Sequence, residues 1–218
     1  MQLILSLMPG IDLLGMAFKQ EGFCVVQGGD LIFGGDVRAE HYPPGRFDGV
    51  ISGPPCQAFS TAAPLRRQAV ALNLIPEFER IISETEPRWF LMENTRRAPL
   101  PTVLGYGVAA YLVNNRWFGE EQQRIRRFSF GIRGERVGLQ LEPSLHRSRR
   151  VARTITASDG KRNGRGTDLP DRRNRLSGQQ YTFEQVCQLQ GVPPDFLQGA
   201  PFTKDGKYRA VGNGVPLA

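Results

Sequence analysis

The sequence predicts an α/β fold in which a parallel sheet carries helices on both faces. In the first half of the chain, short apolar runs alternate with longer stretches whose apolar residues recur at helical spacing. Strand–helix–strand repetition of this kind is typical of parallel sheets. A chain of 218 residues is long enough for one substantial core, or for one core with a small appendage.

Each predicted strand is a short apolar run bounded by turn-forming or polar residues. The predicted strands cover residues 3–7, 24–28, 47–53, 88–94 and 126–133. The predicted helices cover residues 12–23, 71–87 and 182–191. Thr182 is a suitable N-cap for the last helix, and Gly191 is a suitable stop. Residues 105–115 fit either a helix or an apolar strand.

Positive charge is concentrated in one segment of the chain. Residues 122–175 carry 15 Lys and Arg against 5 Asp and Glu, whereas residues 1–121 carry 10 against 13. Of those 15 cations, 14 are Arg, whose planar guanidinium suits bidentate contact with phosphates and bases. Clustered Arg favours a nucleic-acid partner, with a solvated face or a flexible basic loop as the other interpretation.

Cysteine usage and hydropathy exclude several classes of protein. Cys24, Cys56 and Cys187 are an odd number and lie far apart, which suits a reducing compartment. No CxxC spacing is present and the two histidines complete no ligand set, so no metal is predicted. No apolar run is long enough to span a membrane, and we interpret the opening "MQLILSLMPG" as a first strand rather than a signal peptide.

Ligands of open parallel sheets bind beyond the carboxyl ends of the strands, and three features of the sequence fall there. The first is "SLMPGID", residues 6–12, in which a strand runs into a turn at Gly10. Asp30 follows 20 residues later, where a carboxylate can accept hydrogen bonds from ribose hydroxyls, and Asp36 comes shortly after. The full GxGxxG pattern is absent, and each acid alone also fits a helix cap or a surface loop.

The second feature is "SGPPCQAFS", residues 52–60. Gly-Pro-Pro cannot continue a strand, so the chain must turn out of the sheet and place Cys56 at its rim. A thiol there becomes a nucleophile if nearby cations or helix N-termini stabilise its thiolate. A cysteine packed in a loop is the alternative.

The third feature is "MENTRR", residues 92–97, which puts Glu93 at the end of an otherwise apolar strand. A carboxylate there is costly unless it is paired or its pKa is raised. A raised pKa would allow Glu93 to protonate a substrate nitrogen near neutral pH. Pairing with Arg96 or Arg97 is the alternative.

Taken in order, these motifs resemble those of the C5-cytosine DNA methyltransferase family. "SGPPCQAFS" is similar to the family's (G)GPPCQ-x-(F)S motif and "MENT" to its ENV motif, while "QQRIRR" contains QxRxR and "VGNGVP" contains GNxV. "RTITA" and "LQGVPPDF" also fit the closing region of the family. The resemblance extends from Leu5 to the C-terminus.

The resemblance implies a catalytic role for each of four residues. Cys56 would add as a thiolate to carbon 6 of cytosine, and Glu93 would donate a proton to ring nitrogen N3. Arg124 and Arg126, the two arginines of QxRxR, would hold the cytosine, the neighbouring phosphate and the catalytic loop. Asn94 would fix the strand end. Because the target atom is unreachable in a stacked duplex, the cytosine would be flipped out.

The resemblance also implies S-adenosylmethionine as methyl donor and a Rossmann-like methyltransferase fold with a small, reduced target-recognition region. Asp30 would bind the ribose, with Leu31 beside the adenine, and Asp36 and Val37 would contact the adenine. The residues implied to bind the donor are Met8, Gly10, Asp30, Leu31, Asp36, Val37, Pro55, Leu74 and Asn213. The first motif departs from the family's Asp-Leu-Phe-Ala-Gly, since Met8 stands where an aromatic residue is common.

By resemblance, residues 1–133 form the catalytic core, residues 134–180 an Arg-rich target-recognition region, and residues 181–218 return to the core. The expected substrate is cytosine in double-stranded DNA, with no membrane association. The protein is expected to act as a monomer in a bacterial or phage-infected cytoplasm, with a restriction endonuclease as its partner in the host system. A transfer-RNA cytosine methyltransferase and a truncated, catalytically weak DNA-binding relative are the alternatives.

Overall fold

The computed structural model describes residues 1–56, 59, 72–135, 138–144, 151–152, 154–156 and 181–217. The chain divides into two compact units. The first contains Met1–Asn114 and Ile125–Glu142, and the second contains Asn115–Arg124 and Pro143–Ala218. Most of the predicted recognition region and the stretch that follows Cys56 lie outside the described residues.

A six-stranded sheet forms the centre of the first unit. Its strands are β1 (Leu3–Leu7), β2 (Cys24–Gln27), β3 (Gly49–Ser52), β4 (Trp89–Asn94), β5 (Tyr106–Asn114) and β6 (Ile125–Arg133). Their order is β2-β1-β3-β4-β6-β5. The first four strands are parallel, as predicted, but β6 runs antiparallel to both β4 and β5. The run from Tyr106 is therefore a strand and not a helix, because it pairs along its whole length with β6.

Two helices cover this sheet, α1 (Leu13–Gln20) and α2 (Ile75–Thr85). Phe18 of α1 stacks on Trp89, whereas Phe78 of α2 meets the next residue of the same strand, Phe90, edge to face. Consecutive residues of a strand point to opposite faces. The prediction that helices lie on both faces of the sheet is therefore confirmed.

The register of the parallel strands brings the loops that follow them to one edge of the sheet. Leu7, the last residue of β1, pairs with Ser52, the last residue of β3, and Ser52 pairs in turn with Met92 near the end of β4. Leu7 and Met92 also belong to the buried core beneath this edge. The loops that carry the predicted site residues therefore begin at the same edge of the sheet, directly above the buried core.

The second unit contains α3 (Phe183–Leu189) and α4 (Lys204–Asn213). Thr182 caps α3 as predicted, in a reciprocal arrangement in which its side chain and that of Gln185 each accept a hydrogen bond from the other's backbone N–H. The helix α4 was not predicted, because two glycines within it mask its periodicity. Thr203 caps this helix, and its residues Tyr208 and Val211 are buried. Among the described residues, no helix has the length and apolar character needed to cross a membrane.

Candidate active site

The loop that carries Cys56 is anchored at both strands beside it. At its start, the Ser52 hydroxyl donates to the Leu7 carbonyl at 2.9 Å. Asn94, at the end of β4, donates from Nδ2 to the Pro54 carbonyl at 3.1 Å, and both residues are buried. Cys56 itself is partly exposed. The loop therefore leaves the sheet in a fixed direction, and Asn94 contacts it as well as ending its own strand.

Glu93 and Arg126 form an ion pair beside this loop. Arg126 Nε lies 2.9 Å from Glu93 Oε1, and the two side chains are 19% and 10% exposed. The other oxygen of the carboxyl group faces the start of the cysteine loop, since a Cβ placed on Gly53 would lie 3.7 Å from Glu93 Oε2. Of the partners considered from the sequence, neither Arg96 nor Arg97 forms this pair; the cation comes instead from β6.

Backbone geometry is unusual in the turn between β1 and α1, where the donor is expected to bind. Met8, Gly10 and Asp12 all have left-handed backbones, with φ of 50°, 57° and 56°. At Gly10 a Cβ would meet nothing within 4 Å, so this turn faces open space. The Gly10 N–H donates to Asp30 Oδ2 at 2.8 Å, which brings together two residues that the sequence predicted separately.

Asp12 holds this turn and was not predicted as a site residue. Its carboxylate is buried and accepts hydrogen bonds from Ser6 Oγ at 2.8 Å and Gln27 Nε2 at 2.9 Å. Lys19 Nζ lies 3.6 Å away. A Cβ on Gly15 would lie 2.2 Å from Asp12 Oδ1, so only glycine fits there. Asp12 directly precedes α1, and its side chain makes no capping hydrogen bond to the helix.

Asp30, which binds the Gly10 N–H, also fixes the turn that follows it in the chain. Its Oδ1 accepts from the Ile32 N–H at 2.8 Å and so caps a short 3-10 turn, Leu31–Phe33. The side chains of this turn are exposed, with 66% of Leu31 and 64% of Phe33 accessible. A partly buried carboxylate thus lies beside an exposed apolar surface.

Three further residues predicted to bind the donor are Asp36, Val37 and Leu74. Arg38 forms a bidentate pair with Asp36, and its hydrogen bonds lower the pKa of Asp36 to about 2. The Val37 side chain is buried, and its carbonyl accepts from Arg80 of α2 at 2.9 Å. Leu74 is also buried and immediately precedes α2. Val37 can therefore reach a ligand through its backbone but not through its side chain.

Arg124 and Asn213 belong to the second unit. The buried Arg124 guanidinium donates to the carbonyls of Ile155, Gly212 and Gly214 at 2.9, 3.1 and 3.0 Å. Gln190, which the sequence did not single out, is also buried and donates to the Gly214 carbonyl at 3.0 Å. Asn213 is exposed between two glycines whose carbonyls are held in this way.

The chain resembles known methyltransferases in its fold and in its sequence. The fold is shared with solved methyltransferases: an Entamoeba histolytica methyltransferase, EhMeth, superposes with a TM-score of 0.66 at 10% identity, covering 99% of this chain and 94% of that one. Schizosaccharomyces pombe Dnmt2 gives the same TM-score and the same two coverages at 13% identity. The sequence profile of C-5 cytosine-specific DNA methylases matches residues 34–185, and the chain belongs to this family.

Curated relatives agree with this assignment. The chain is 35% identical over 115 residues to type II methyltransferase M.BanI of Aneurinibacillus aneurinilyticus, covering 45% of this chain and 26% of the relative. It is 28% identical over 162 residues to type II methyltransferase M.NgoPII of Neisseria gonorrhoeae, covering 60% and 48%. The aligned part is thus less than half of either relative.

Proposed function

We propose that this chain is a DNA cytosine-5 methyltransferase that acts on a cytosine flipped out of double-stranded DNA. One observation carries the proposal: the loop that bears Cys56 leaves β3 directly beside the ion pair of Glu93 and Arg126. This edge of the sheet thus offers a partly exposed thiol, a carboxyl group and a guanidinium. Membership of the family supports the proposal.

Each of these groups meets a need of the reaction, because carbon 5 of cytosine is by itself a weak nucleophile. The Cys56 thiolate adds to carbon 6, and the π electrons of the C5–C6 double bond shift through the ring toward N3. Glu93 gives its proton to N3 in the same step. Carbon 5 then has enamine character and can take a methyl group. After methylation, a base removes the proton from carbon 5, and the electron pair of that C–H bond re-forms the C5–C6 double bond as the Cys56 thiolate leaves carbon 6. The proton on N3 returns to Glu93.

The ion pair orients Glu93 for this step. Arg126 contacts Oε1, so we assign Oε2, on the side of Gly53 and the cysteine loop, to the N3 proton. Asn94 is a positioning residue, because it holds the Pro54 carbonyl two residues before Cys56. Arg124 is likewise a positioning residue, because its guanidinium binds backbone carbonyls of its own unit.

S-adenosylmethionine supplies an electrophilic methyl group, and the residues beyond β1 and β2 fit it. The Asp30 carboxylate suits ribose hydroxyls, and the exposed Leu31 side chain offers an apolar surface for the adenine. The turn at Gly10 borders open space where a ligand can approach the backbone. The other proposed contacts are Met8, Asp36, the Val37 backbone, Pro55, Leu74 and Asn213.

The proposed division of labour follows the motif order. Residues 1–133 form the catalytic core, residues 134–180 recognise the target sequence, and residues 181–218 complete the core. The strongly basic balance of residues 122–175 supports double-stranded DNA as the partner. We further propose that the enzyme acts as a monomer in a system that includes a restriction endonuclease.

Transfer of labelled methyl groups from S-adenosylmethionine to unmethylated duplex DNA tests the proposal. Cys56→Ser should abolish transfer, whereas Cys24→Ser should retain it, because Cys24 begins β2 at the opposite edge of the sheet. Full activity of Cys56→Ser would remove Cys56 as the nucleophile. Label that appears on transfer RNA but not on DNA would favour the RNA methyltransferase, and DNA binding without transfer would favour the inactive relative.

A covalent trap tests the same step without turnover. Fluorine at carbon 5 of the target cytosine cannot leave as a proton does, so the adduct with Cys56 should accumulate and add the mass of the DNA strand to the protein. Peptide mapping should locate the adduct at Cys56. An adduct at another cysteine would contradict the assignment.

A further inference from the structure

We propose that the turn formed by residues 95–98 is a binding site for the phosphodiester backbone of the target strand, with Arg96 and Arg97 as its cationic groups. This inference rests on the proposed function and adds to it a contact surface that the motifs do not assign. The turn directly follows Glu93 and Asn94 at the carboxyl end of β4.

The backbone of this turn is fixed from several sides. Thr95 N–H donates to Asn94 Oδ1 at 2.8 Å, and Ala98 N–H donates to the Thr95 carbonyl at 3.0 Å. The Arg127 guanidinium, on the neighbouring strand β6, donates to the carbonyls of Arg96 and Ala98. Ala98 is buried in the core. The side chains of the turn are therefore presented from a rigid base, so little backbone freedom is lost when a ligand binds.

Arg96 and Arg97 differ from several other arginines of the first unit in their partners. Four arginines of that unit, at positions 38, 80, 126 and 133, form ion pairs with carboxylates. Arg96 and Arg97 are both exposed, and within the part of the chain that the structure describes neither has a carboxylate within ion-pair distance. Together with Arg127 they make a local concentration of positive charge.

Phosphate groups fit this surface in chemistry and in position. Guanidinium groups form bidentate, charge-assisted hydrogen bonds with phosphate oxygens. Arg96 is three residues from Glu93, so their Cα atoms lie within about 11 Å of each other, at roughly 3.6 Å per residue. That distance is about three nucleotides along one strand, at roughly 3.4 Å each. A cytosine held at Glu93 would therefore bring the phosphates that flank it within reach of the turn.

The salt dependence of DNA binding tests this inference. A short fluorescent duplex is titrated with the full chain from about 50 to 200 mM salt, and the slope of log K against log salt is measured. The double variant Arg96→Gln/Arg97→Gln should weaken binding about tenfold or more and reduce the slope by about 2, since each lost phosphate contact removes about 0.9. Arg96→Lys/Arg97→Lys should keep the slope, because lysine retains the charge.

A matched control removes the same charge at the other edge of the sheet. Arg46 and Arg88 are also exposed, but they precede β3 and β4 and so lie at the amino ends of these strands. Arg46→Gln/Arg88→Gln should leave affinity and slope unchanged. An unchanged slope in Arg96→Gln/Arg97→Gln, an equal loss in the control, or a lost slope in the lysine variant would each overturn the inference. Failure of the unaltered chain to bind or methylate DNA would instead overturn the proposed function, and the inference with it.

Discussion

Arg124 and Arg126 lie two residues apart in the same motif, yet their surroundings are opposite. Arg126, in the first unit, pairs with the carboxylate of Glu93 beside the cysteine loop. Arg124, in the second unit, is buried and donates to three backbone carbonyls. The start of β6 at Ile125 separates the two residues. Arg126 therefore balances the charge of Glu93 at the candidate site, whereas Arg124 holds backbone segments of the second unit in place.

The two tryptophans allow this contrast to be measured unit by unit. Trp89 belongs to the first unit and Trp117 to the second. Trp117→Phe leaves Trp89 as the fluorescent probe of the first unit, and Trp89→Phe leaves Trp117 as the probe of the second. Urea unfolding followed in each background gives the free energy of unfolding reported by that unit.

The largest expected effect is that of Arg124→Met on the second unit. The substitution leaves three backbone carbonyls without their charged donor, and each loss costs about 1–3 kcal/mol. The Gly214 carbonyl keeps its hydrogen bond from Gln190, so we expect the loss at the other two carbonyls to lower the free energy of unfolding read from Trp117 by roughly 2–6 kcal/mol. Arg127→Met serves as the control, since it removes the same group from the first unit. An unchanged Trp117 transition in Arg124→Met would contradict the structural role.

A smaller effect is expected when the pair of Glu93 and Arg126 is broken. Removal of one partner leaves the other largely buried without its counter-charge, which costs about 3–5 kcal/mol for a fully buried pair and less here because both groups are partly exposed. Glu93→Gln and Arg126→Gln should each lower the free energy of unfolding read from Trp89 by about 1–3 kcal/mol.

The double variant Glu93→Gln/Arg126→Gln separates coupling from independent losses. It should be less destabilised than the sum of the two single variants, because neither residue then carries an unbalanced charge. Methyl transfer should be lost in all three proteins. Strict additivity of the stability changes would show that the ion pair contributes nothing to the fold.

Sequence reasoning was most successful where one local signal sufficed. Apolar runs predicted the first four strands, and a Thr182 cap predicted α3. Gly-Pro-Pro predicted that the chain leaves the sheet before Cys56, since proline supplies no ladder hydrogen bond. The family was also identified correctly, because several short motifs occurred in a fixed order.

Sequence reasoning failed where a residue acts through partners distant in the chain. Gln190 binds carbonyls more than 20 positions away, and Asp12 accepts from Gln27 on the next strand. No local pattern reports such contacts. The antiparallel direction of β6 was missed for the same reason, since strand direction depends on the path of the chain between elements. The motif likewise made Arg124 and Arg126 look equivalent, because spacing carries no information about burial.

The smallest expected effect concerns pH and again contrasts the two units. Burial raises the pKa of the Cys187 thiol, in α3 of the second unit, to about 11, from an ordinary value of about 8.5 in an unfolded chain. The neutral thiol therefore contributes stability that is complete below about pH 8.5 and is lost as the pH rises toward 11. The free energy of unfolding read from Trp117 should fall by about 1 kcal/mol between roughly pH 8 and pH 9.5 because of this group. In the first unit the pKa of the Asp36 carboxyl is shifted the other way, to about 2, and its contribution is present above about pH 3.9 and is lost only as the pH falls toward 2.

Cys187→Ala distinguishes this titration from general alkaline unfolding. The variant loses some packing at every pH, but its Trp117-reported stability should decline less between roughly pH 8 and pH 9.5 than that of the parent protein. Cys24→Ser should leave the decline unchanged, because Cys24 lies in the first unit. Burial also raises the pKa of two tyrosines of the first unit, Tyr42 (to about 12) and Tyr106, and their contributions begin to be lost only near pH 10, above this window. An equal decline in Cys187→Ala and in the parent protein would show that the buried thiol does not set the alkaline limit of the second unit.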